Sequence, residues 1–342
     1  MSAAWEVVPI RIPYSFPSPL VGEGQGEGGR NDYYEAVIVT LHQDGLTGLG
    51  EAPALPARGG SLGSLVRELR AGRPVSPAAR CAAETARCDL EAKRRGVPLA
   101  ELLGGRRRRS VECSALVTAL RPAEVVRELE RWAESGFATF KLKACDAAPL
   151  DLERLGAARW AAGRGGRLRL DFNGRLTPAE AEVRLGSLER FGIELFEQPL
   201  PTGAPVGEWR RLAERTCVTL AADESLADHR VGGELADAGM ALALKLATVG
   251  GPRAALGLAA RAGGPVTVGS SFETSIGVAA ALQVACALGH EPMPCGLATG
   301  DLLEGDVARG LALDGFCLRL PDVPGLGVHL DQRALDAYRV DR

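Results

Sequence analysis

Residues 139–199 read TFKLKACDAAPLDLERLGAARWAAGRGGRLRLDFNGRLTPAEAEVRLGSLERFGIELFEQP. Three short apolar or β-branched runs stand out: TFKLKA (139–144), RLRLDFN (167–173) and ELFEQP (194–199). Amphipathic stretches rich in Ala, Leu, Glu and Arg fill the gaps, so strand starts recur roughly every 25 residues. The theme continues outward in both directions. VECSALVT (111–118) precedes it, and TLAADE (219–224), ALALKL (241–246) and PVTVGSS (265–271) follow, with a weaker eighth run near CGLAT (295–299). Consecutive βαβ units must build a parallel sheet. Seven or eight of them suit a closed barrel, whereas an open doubly wound sheet usually has fewer. The sequence therefore predicts the α/β class, as a (β/α)7β TIM-like barrel.

The flanks read differently. Residues 32–52 (DYYEAVIVTLHQDGLTGLGEA) predict a hairpin around Gln43-Asp44-Gly45, and 76–103 a pair of helices. These make an α+β capping domain over 1–110, followed by the barrel with its active site over 111–305. The Pro/Gly-rich PDVPGLGVHLD (321–331) has no room for another βα unit, so 306–342 is expected to return to the first domain. VGEGQGEGG (21–29) contains Gly24-x-Gly26-x-x-Gly29, but a Pro-rich segment precedes it and a strand-like run follows. A dinucleotide fingerprint needs a strand before and a helix after. The stretch reads instead as a lid loop over about 14–32.

Composition excludes several classes of function. A hydrophobic fraction of 46% and a charged fraction of 24% are those of an ordinary soluble protein. No stretch of about twenty residues stays free of charge, which argues against a membrane span. MSAAWEVVPIRIPYSFPSP (1–19) lacks the pattern of a secretory leader, so a cytoplasmic protein is expected. The eight cysteines show no CxxC spacing and read as buried thiols rather than a zinc site or redox pair. A net charge of −3 offers no general attraction to nucleic acid. Arg106 to Arg109 reads as a solvated linker. The sequence permits a homo-oligomer without specifying one.

In a parallel barrel, side chains at the C-terminal strand ends converge on the active site. Charges recur there strand after strand: Lys141 and Lys143, Asp171 and Asn173, Glu197, Asp223 and Glu224, and Lys245. Alternation puts Lys141 and Lys143 on one face, as it does Arg169, Asp171 and Asn173. Any one of these residues could be a solvated strand end. Together they must compensate one another, since an unpartnered buried ion costs several kcal/mol. Asp171, Glu197 and Asp223 form a hard oxygen set without His or Cys, which favours Mg²⁺ over zinc. Lys141 close to Lys143 would lower the latter's pKa and make it a general base. Such parts suit removal of a proton beside a carboxylate, where cations offset the charge that develops.

KLK (141–143), LDFNG (170–174), FEQP (196–199), ADES (222–225) and LKLATVGG (244–251) resemble the successive strand motifs of the enolase superfamily, in its muconate-lactonising branch. GLGEAP (48–53) and PLAELLGG (98–105) resemble its capping domain, and PGLGVHLD (324–331) its C-terminal segment. The resemblance implies Lys143 as base, Lys141 as its pKa-lowering partner and Lys245 as the opposite-face lysine. It also implies Asp171, Glu197 and Asp223 as Mg²⁺ ligands, supported by Asn173 and Glu224, and an enediolate intermediate. The substrate is then a small-molecule carboxylate.

The shared motifs serve o-succinylbenzoate synthases, dipeptide epimerases, N-acylamino acid racemases and cycloisomerases alike. SSFETSIG (270–277) and MPCGLATGDLLEGDV (293–307) resemble the late loops of the synthases, and Arg169 fits that group. Asp301 stands without the Asp-x-Asp partner usual in dipeptide epimerases. The resemblance thus implies dehydration of 2-succinyl-6-hydroxy-2,4-cyclohexadiene-1-carboxylate to 2-succinylbenzoate, a step of menaquinone synthesis. Arg169, Ser270, Ser271 and Glu273 would bind substrate, although Ser270 and Ser271 equally suit a helix cap. An epimerase or racemase is the alternative within the superfamily. A Schiff-base aldolase has no need of three carboxylates, and a silent binding barrel has no need of the lysines.

Overall fold

The computed structural model describes residues 4–15, 33–55, 60–145 and 147–341. Of the expected lid over 14–32, only Tyr14 and Ser15 fall among them; the Gly24 to Gly29 stretch lies outside the described residues.

The chain begins with an antiparallel sheet of β1 (Ala4–Pro13), β2 (Tyr33–Gln43) and β3 (Leu46–Pro53), in the order β1-β2-β3. β2 and β3 form the expected hairpin. Asp44 and Gly45 both take positive φ, 52° and 79°, as a tight two-residue turn requires. The helix Pro77–Arg95 lies across β3. Ser76 caps its start, Pro77 supplies a preset φ and Gly96 closes it in the left-handed region. Its face of small residues, including Ala79, Ala82 and Ala86, allows close approach. A Cβ on Gly50 would stand 2.0 Å from the Ala82 carbonyl oxygen, so only glycine fits there.

The chain then enters a parallel sheet. β4 (Ser110–Glu112) does not belong to it, pairing instead antiparallel with Cys317–Arg319. Seven strands form the sheet: β5 (Ala115–Val117), β6 (Thr139–Lys143), β7 (Arg167–Asp171), β8 (Ile193–Glu197), β9 (Thr219–Ala222), β10 (Ala241–Lys245) and β11 (Val266–Gly269), in unbroken sequence order. The run over 111–118 is therefore two strands, not one. The backbone changes partner between Cys113, whose N–H meets Phe316 O, and Ser114, whose N–H meets Cys295 O.

An extended segment over 293–296 closes the ring, near the expected eighth strand. Met293 and Gly296 donate to Val266 and Val268 of β11, while Cys295 donates to Glu112 and accepts from Ser114. The result is the TIM-like barrel. Along β6 and β7, Phe140, Leu142, Leu168 and Leu170 alternate with Lys141, Lys143, Arg169 and Asp171, separating the helix-facing core from the barrel interior. Leu195, Ala221 and Ala241 form a separate small cluster on the interior side, with Met293 packed against it.

The C-terminal residues return to the N-terminal part of the chain. Gly325 exchanges backbone hydrogen bonds with Val97 and Leu99, and Val340 N–H donates to Pro9 O. The arginine run is less solvated than a linker would be. Arg108 donates to the carbonyls of Ala285, Leu288 and His290, satisfying the C-terminal end of helix Ser275–Ala287, and Arg106 pairs with Asp322. All eight cysteines are free thiols, with Cys217 exposed and Cys317 half-buried. Among the described residues no helix is long and apolar enough to cross a membrane.

Candidate active site

Parallel register brings Lys143, Asp171 and Glu197 side by side at the C-terminal ends of β6, β7 and β8. Asp223 follows the end of β9, and Lys245 ends β10. β6 and β10 are four strands apart in a ring closed by an eighth segment, so Lys143 and Lys245 approach from opposite sides. Both line one cavity, together with Lys141, Asp171, Asn173 and Glu197.

Contacts within the cluster are direct. Lys141 Nζ donates to Glu197 Oε2 at 2.6 Å and stands 2.9 Å from Asp171 Oδ2. Lys245 Nζ donates to Asp223 Oδ2 at 2.5 Å and lies 3.9 Å from Glu197 Oε1. Lys143 Nζ donates to Asn173 Oδ1 at 2.8 Å, with Asp171 Oδ2 at 4.0 Å. Asn173 in turn donates through Nδ2 to Glu224 Oε1 at 3.1 Å, and its N–H meets Asp171 Oδ1 at 2.9 Å. Its φ of +48° turns the chain sharply at the strand end.

These neighbours push the ionisations apart. Burial lowers the Lys143 pKa first, and the charges of Lys141 and Lys245 lower it further against the pull of Asp171. Desolvation, rather than Lys141 alone, is thus the larger influence on this amine. Burial would also depress Lys141, but Asp171, Glu197 and Asp223 outweigh it and hold the ammonium well above the usual lysine range. Burial would raise Asp171, yet the three lysines, Lys141 foremost, hold it well below the usual carboxylate range. Glu197 goes up instead, because burial adds to repulsion from Asp171 and Asp223.

The ammonium groups of Lys141 and Lys245 lie against the carboxylates, and among the described residues no three His, Cys, Asp or Glu side chains converge tightly enough to cage an ion. The donor chemistry nevertheless fits a hard divalent cation. Glu197 Oε1 is buried without a hydrogen-bond donor, an oxygen of the kind such a cation takes.

Of the residues expected to touch substrate, Arg169, Ser270 and Ser271 line the cavity. Arg169 is tied down: Nε meets Glu194 Oε2 and Nη1 meets Pro294 O, both at 2.7 Å, and Nη2 is buried without an acceptor. The register between β7 and β8 slips just before Arg169, passing over Glu194, which Arg169 then grips. Ser270 Oγ pairs with Thr299 Oγ1 at 2.9 Å, and Ser271 Oγ is buried without a partner. Neither serine caps the following helix; Thr274 does. Glu273 does not line the cavity. Its carboxylate accepts the Ser271 N–H and is pushed up to about 7 by burial and by Glu51.

Two residues quoted in motifs but given no role prove central to the geometry. Gln198, in FEQP, is fully buried with φ +41°; its Oε1 accepts from Asp223 N and Ser225 N, and Nε2 donates to Ser225 Oγ and Leu200 O. It holds the turn that carries Asp223. Glu51, in GLGEAP, binds the first turn of helix Ser275–Ala287 through Thr274 and Gly277. Its signal was one acid inside an apolar strand.

Comparison with known proteins matches residues 124–334 to the family described as enolase C-terminal domain-like. The o-succinylbenzoate synthase of Thermobifida fusca is 40% identical over 205 residues, 58% of this chain and 63% of that protein. The chain thus matches less than two thirds of that relative's length. Among solved structures, the muconate lactonizing enzyme from Pseudomonas putida superposes with a TM-score of 0.88 at 26% identity, covering 98% of this chain and 99% of that one. The L-Ala-D/L-Glu epimerase from Bacillus subtilis gives 0.85 at 27% identity, covering 95% and 98%.

Proposed function

The chain belongs to the enolase C-terminal domain-like family, and from that premise we propose that it dehydrates 2-succinyl-6-hydroxy-2,4-cyclohexadiene-1-carboxylate to 2-succinylbenzoate, a step of menaquinone synthesis. The observation that carries proton removal beside a carboxylate is the placement of Lys143 and Lys245, on strands four apart in the ring, at a cluster of three buried carboxylates. The 40% sequence identity to an o-succinylbenzoate synthase over part of the chain and the serine-rich loop after β11 support this substrate over others.

Lys143 acts as the base. Its burial favours the neutral amine, and Asn173 Oδ1, as an acceptor, steers an N–H and thereby aims the lone pair. The amine takes the proton α to the carboxylate, leaving an enediolate. The resulting ammonium then returns that proton to the departing ring hydroxyl; the C–O bond breaks, water leaves and the ring becomes aromatic. Lys245 remains positive opposite it, facing the charge that develops. Asp171, Glu197 and Asp223 would hold Mg²⁺, which when bound supplies Lewis-acid charge to the substrate's carboxylate oxygens. Arg169 Nη2 and Ser271 Oγ offer unused donors to the rest of the substrate.

The test is direct. Protein with Mg²⁺ is given the cyclohexadiene acid, L-Ala-L-Glu and an N-succinyl amino acid in D₂O. Loss of diene absorbance, without deuterium entering the other two, is the expected result, and Lys143→Ala should abolish it. Deuterium in the dipeptide or the amino acid without diene loss would overturn the dehydration. It would favour a two-base epimerase or racemase, which the likeness to the Bacillus subtilis epimerase supports.

A further inference from the structure

Behind Lys143, on the helix side of β6, lies a second group of buried charges. Three successive carbonyl oxygens are each taken by a different arginine. Arg154 Nη1 donates to Lys143 O at 2.8 Å, Arg175 Nη2 donates to Ala144 O, and Arg184 Nη2 donates to Cys145 O. Asp151 ties the group together. Its Oδ1 accepts from Cys145 N at 2.9 Å and Arg154 Nη1 at 3.3 Å, and its Oδ2 accepts from Arg184 Nη2 at 2.6 Å. Arg154 Nη2 also reaches Ala119 O at 3.1 Å, beyond the end of β5, in a turn whose N–H groups are held by Glu128. Arg154 and Asp151 are fully buried.

Net stability alone does not account for the group. A buried ion pair is often no more stabilising than apolar side chains of the same volume. Here the charges are spent on the backbone at one place, the three residues where β6 ends. Lysine is a flexible four-carbon stem, and the direction in which Lys143 leaves the strand decides whether Nζ meets its target. We propose that Arg154, braced by Asp151 and Arg184, is a positioning residue that sets the aim of Lys143 by locking the backbone on which it stands. This rests on the proposed role of Lys143 as base.

The experiment compares Arg154→Met, Arg154→Lys and Arg184→Met with wild type, in full-length protein with Mg²⁺ and the cyclohexadiene acid. Displacing a reacting group by an ångström costs about 100-fold, so Arg154→Met should lose about that much in kcat, with KM within about threefold. The primary isotope effect on α-deuterated substrate should rise, because proton removal becomes slower relative to other steps. A merely structural role would leave that effect unchanged. Arg154→Lys, able to serve one carbonyl, should recover part of kcat. Should Arg154→Met fail to fold, Arg184→Met keeps the Arg154–Asp151 pair and should show a smaller change in the same direction. Folded variants with wild-type kcat and isotope effect would overturn the proposal, as would a loss confined to KM. If wild type itself does not turn over the substrate, the reaction is at fault. The clamp is then judged by amide exchange at Ala144 and Cys145, which must accelerate in the arginine variants for it to stand.

Discussion

Replacing Glu273 with Gln should stabilise the protein above neutral pH and leave it unchanged in mild acid. Glu273 is buried, and its Oε2 accepts the Ser271 N–H. Facing it is Glu51, whose carboxylate is committed to Tyr34 Oη at 2.6 Å, Thr274 Oγ1 at 2.7 Å and Gly277 N at 2.8 Å. Burial, and then the charge of Glu51, push Glu273 from an ordinary 4.5 to about 7, and Lys245 only partly opposes them. Below the unfolded value of 4.5 the carboxyl is protonated in both states and adds nothing. Between 4.5 and about 7 the folded state keeps a proton that the unfolded chain has released, so stability falls as pH rises. Above about 7 the loss is complete. At 1.36 kcal/mol per decade it amounts to about 3 kcal/mol. Gln keeps an oxygen for Ser271 and removes the charge. Urea unfolding of wild type and variant should therefore coincide near pH 4.5 and differ by about 3 kcal/mol near pH 8, with the variant the more stable. An offset that is the same at both pH values, or a variant weaker at pH 8, would refute the reasoning.

Gly50→Ala should cost about 3 kcal/mol or prevent folding, because the new methyl would meet the Ala82 carbonyl at 2.0 Å and drive helix Pro77–Arg95 off β3. Thermal unfolding checks this, and a Tm unchanged from wild type would show that the helix yields freely. Glu197→Gln should weaken Mg²⁺ binding at least about tenfold by titration calorimetry, since it removes one of three hard anionic donors. Unchanged affinity would place the ion elsewhere.

How far the sequence reaches depends on whether a feature is local. Alternation along TFKLK and RLRLD is enough to separate helix-facing Phe140, Leu142, Leu168 and Leu170 from inward Lys141, Lys143, Arg169 and Asp171. Recurrence of strand and helix patterns is enough to order seven parallel strands, and parallel strands gather their C-terminal ends. The barrel and the set of charges at its mouth were therefore legible without coordinates. Pairings between distant segments were not. Nothing in VECSALVT marks the point where its backbone leaves Cys317–Arg319 for the barrel. The motif places Glu273 among the substrate contacts, whereas the structure sets it outside the cavity lining and beside Glu51, more than two hundred residues earlier, a juxtaposition that has no local trace.

The same division runs through the chemistry. Sequence by itself determined which strands carry amines and which carry acids, because side-chain period and strand order are written along the chain. Only the tertiary structure decided which lysine is paired and which is held by an amide, and which arginines close on the backbone behind Lys143. Those outcomes depend on distances of a few ångströms between elements that meet only when the barrel closes, and on the loss of water that closing brings.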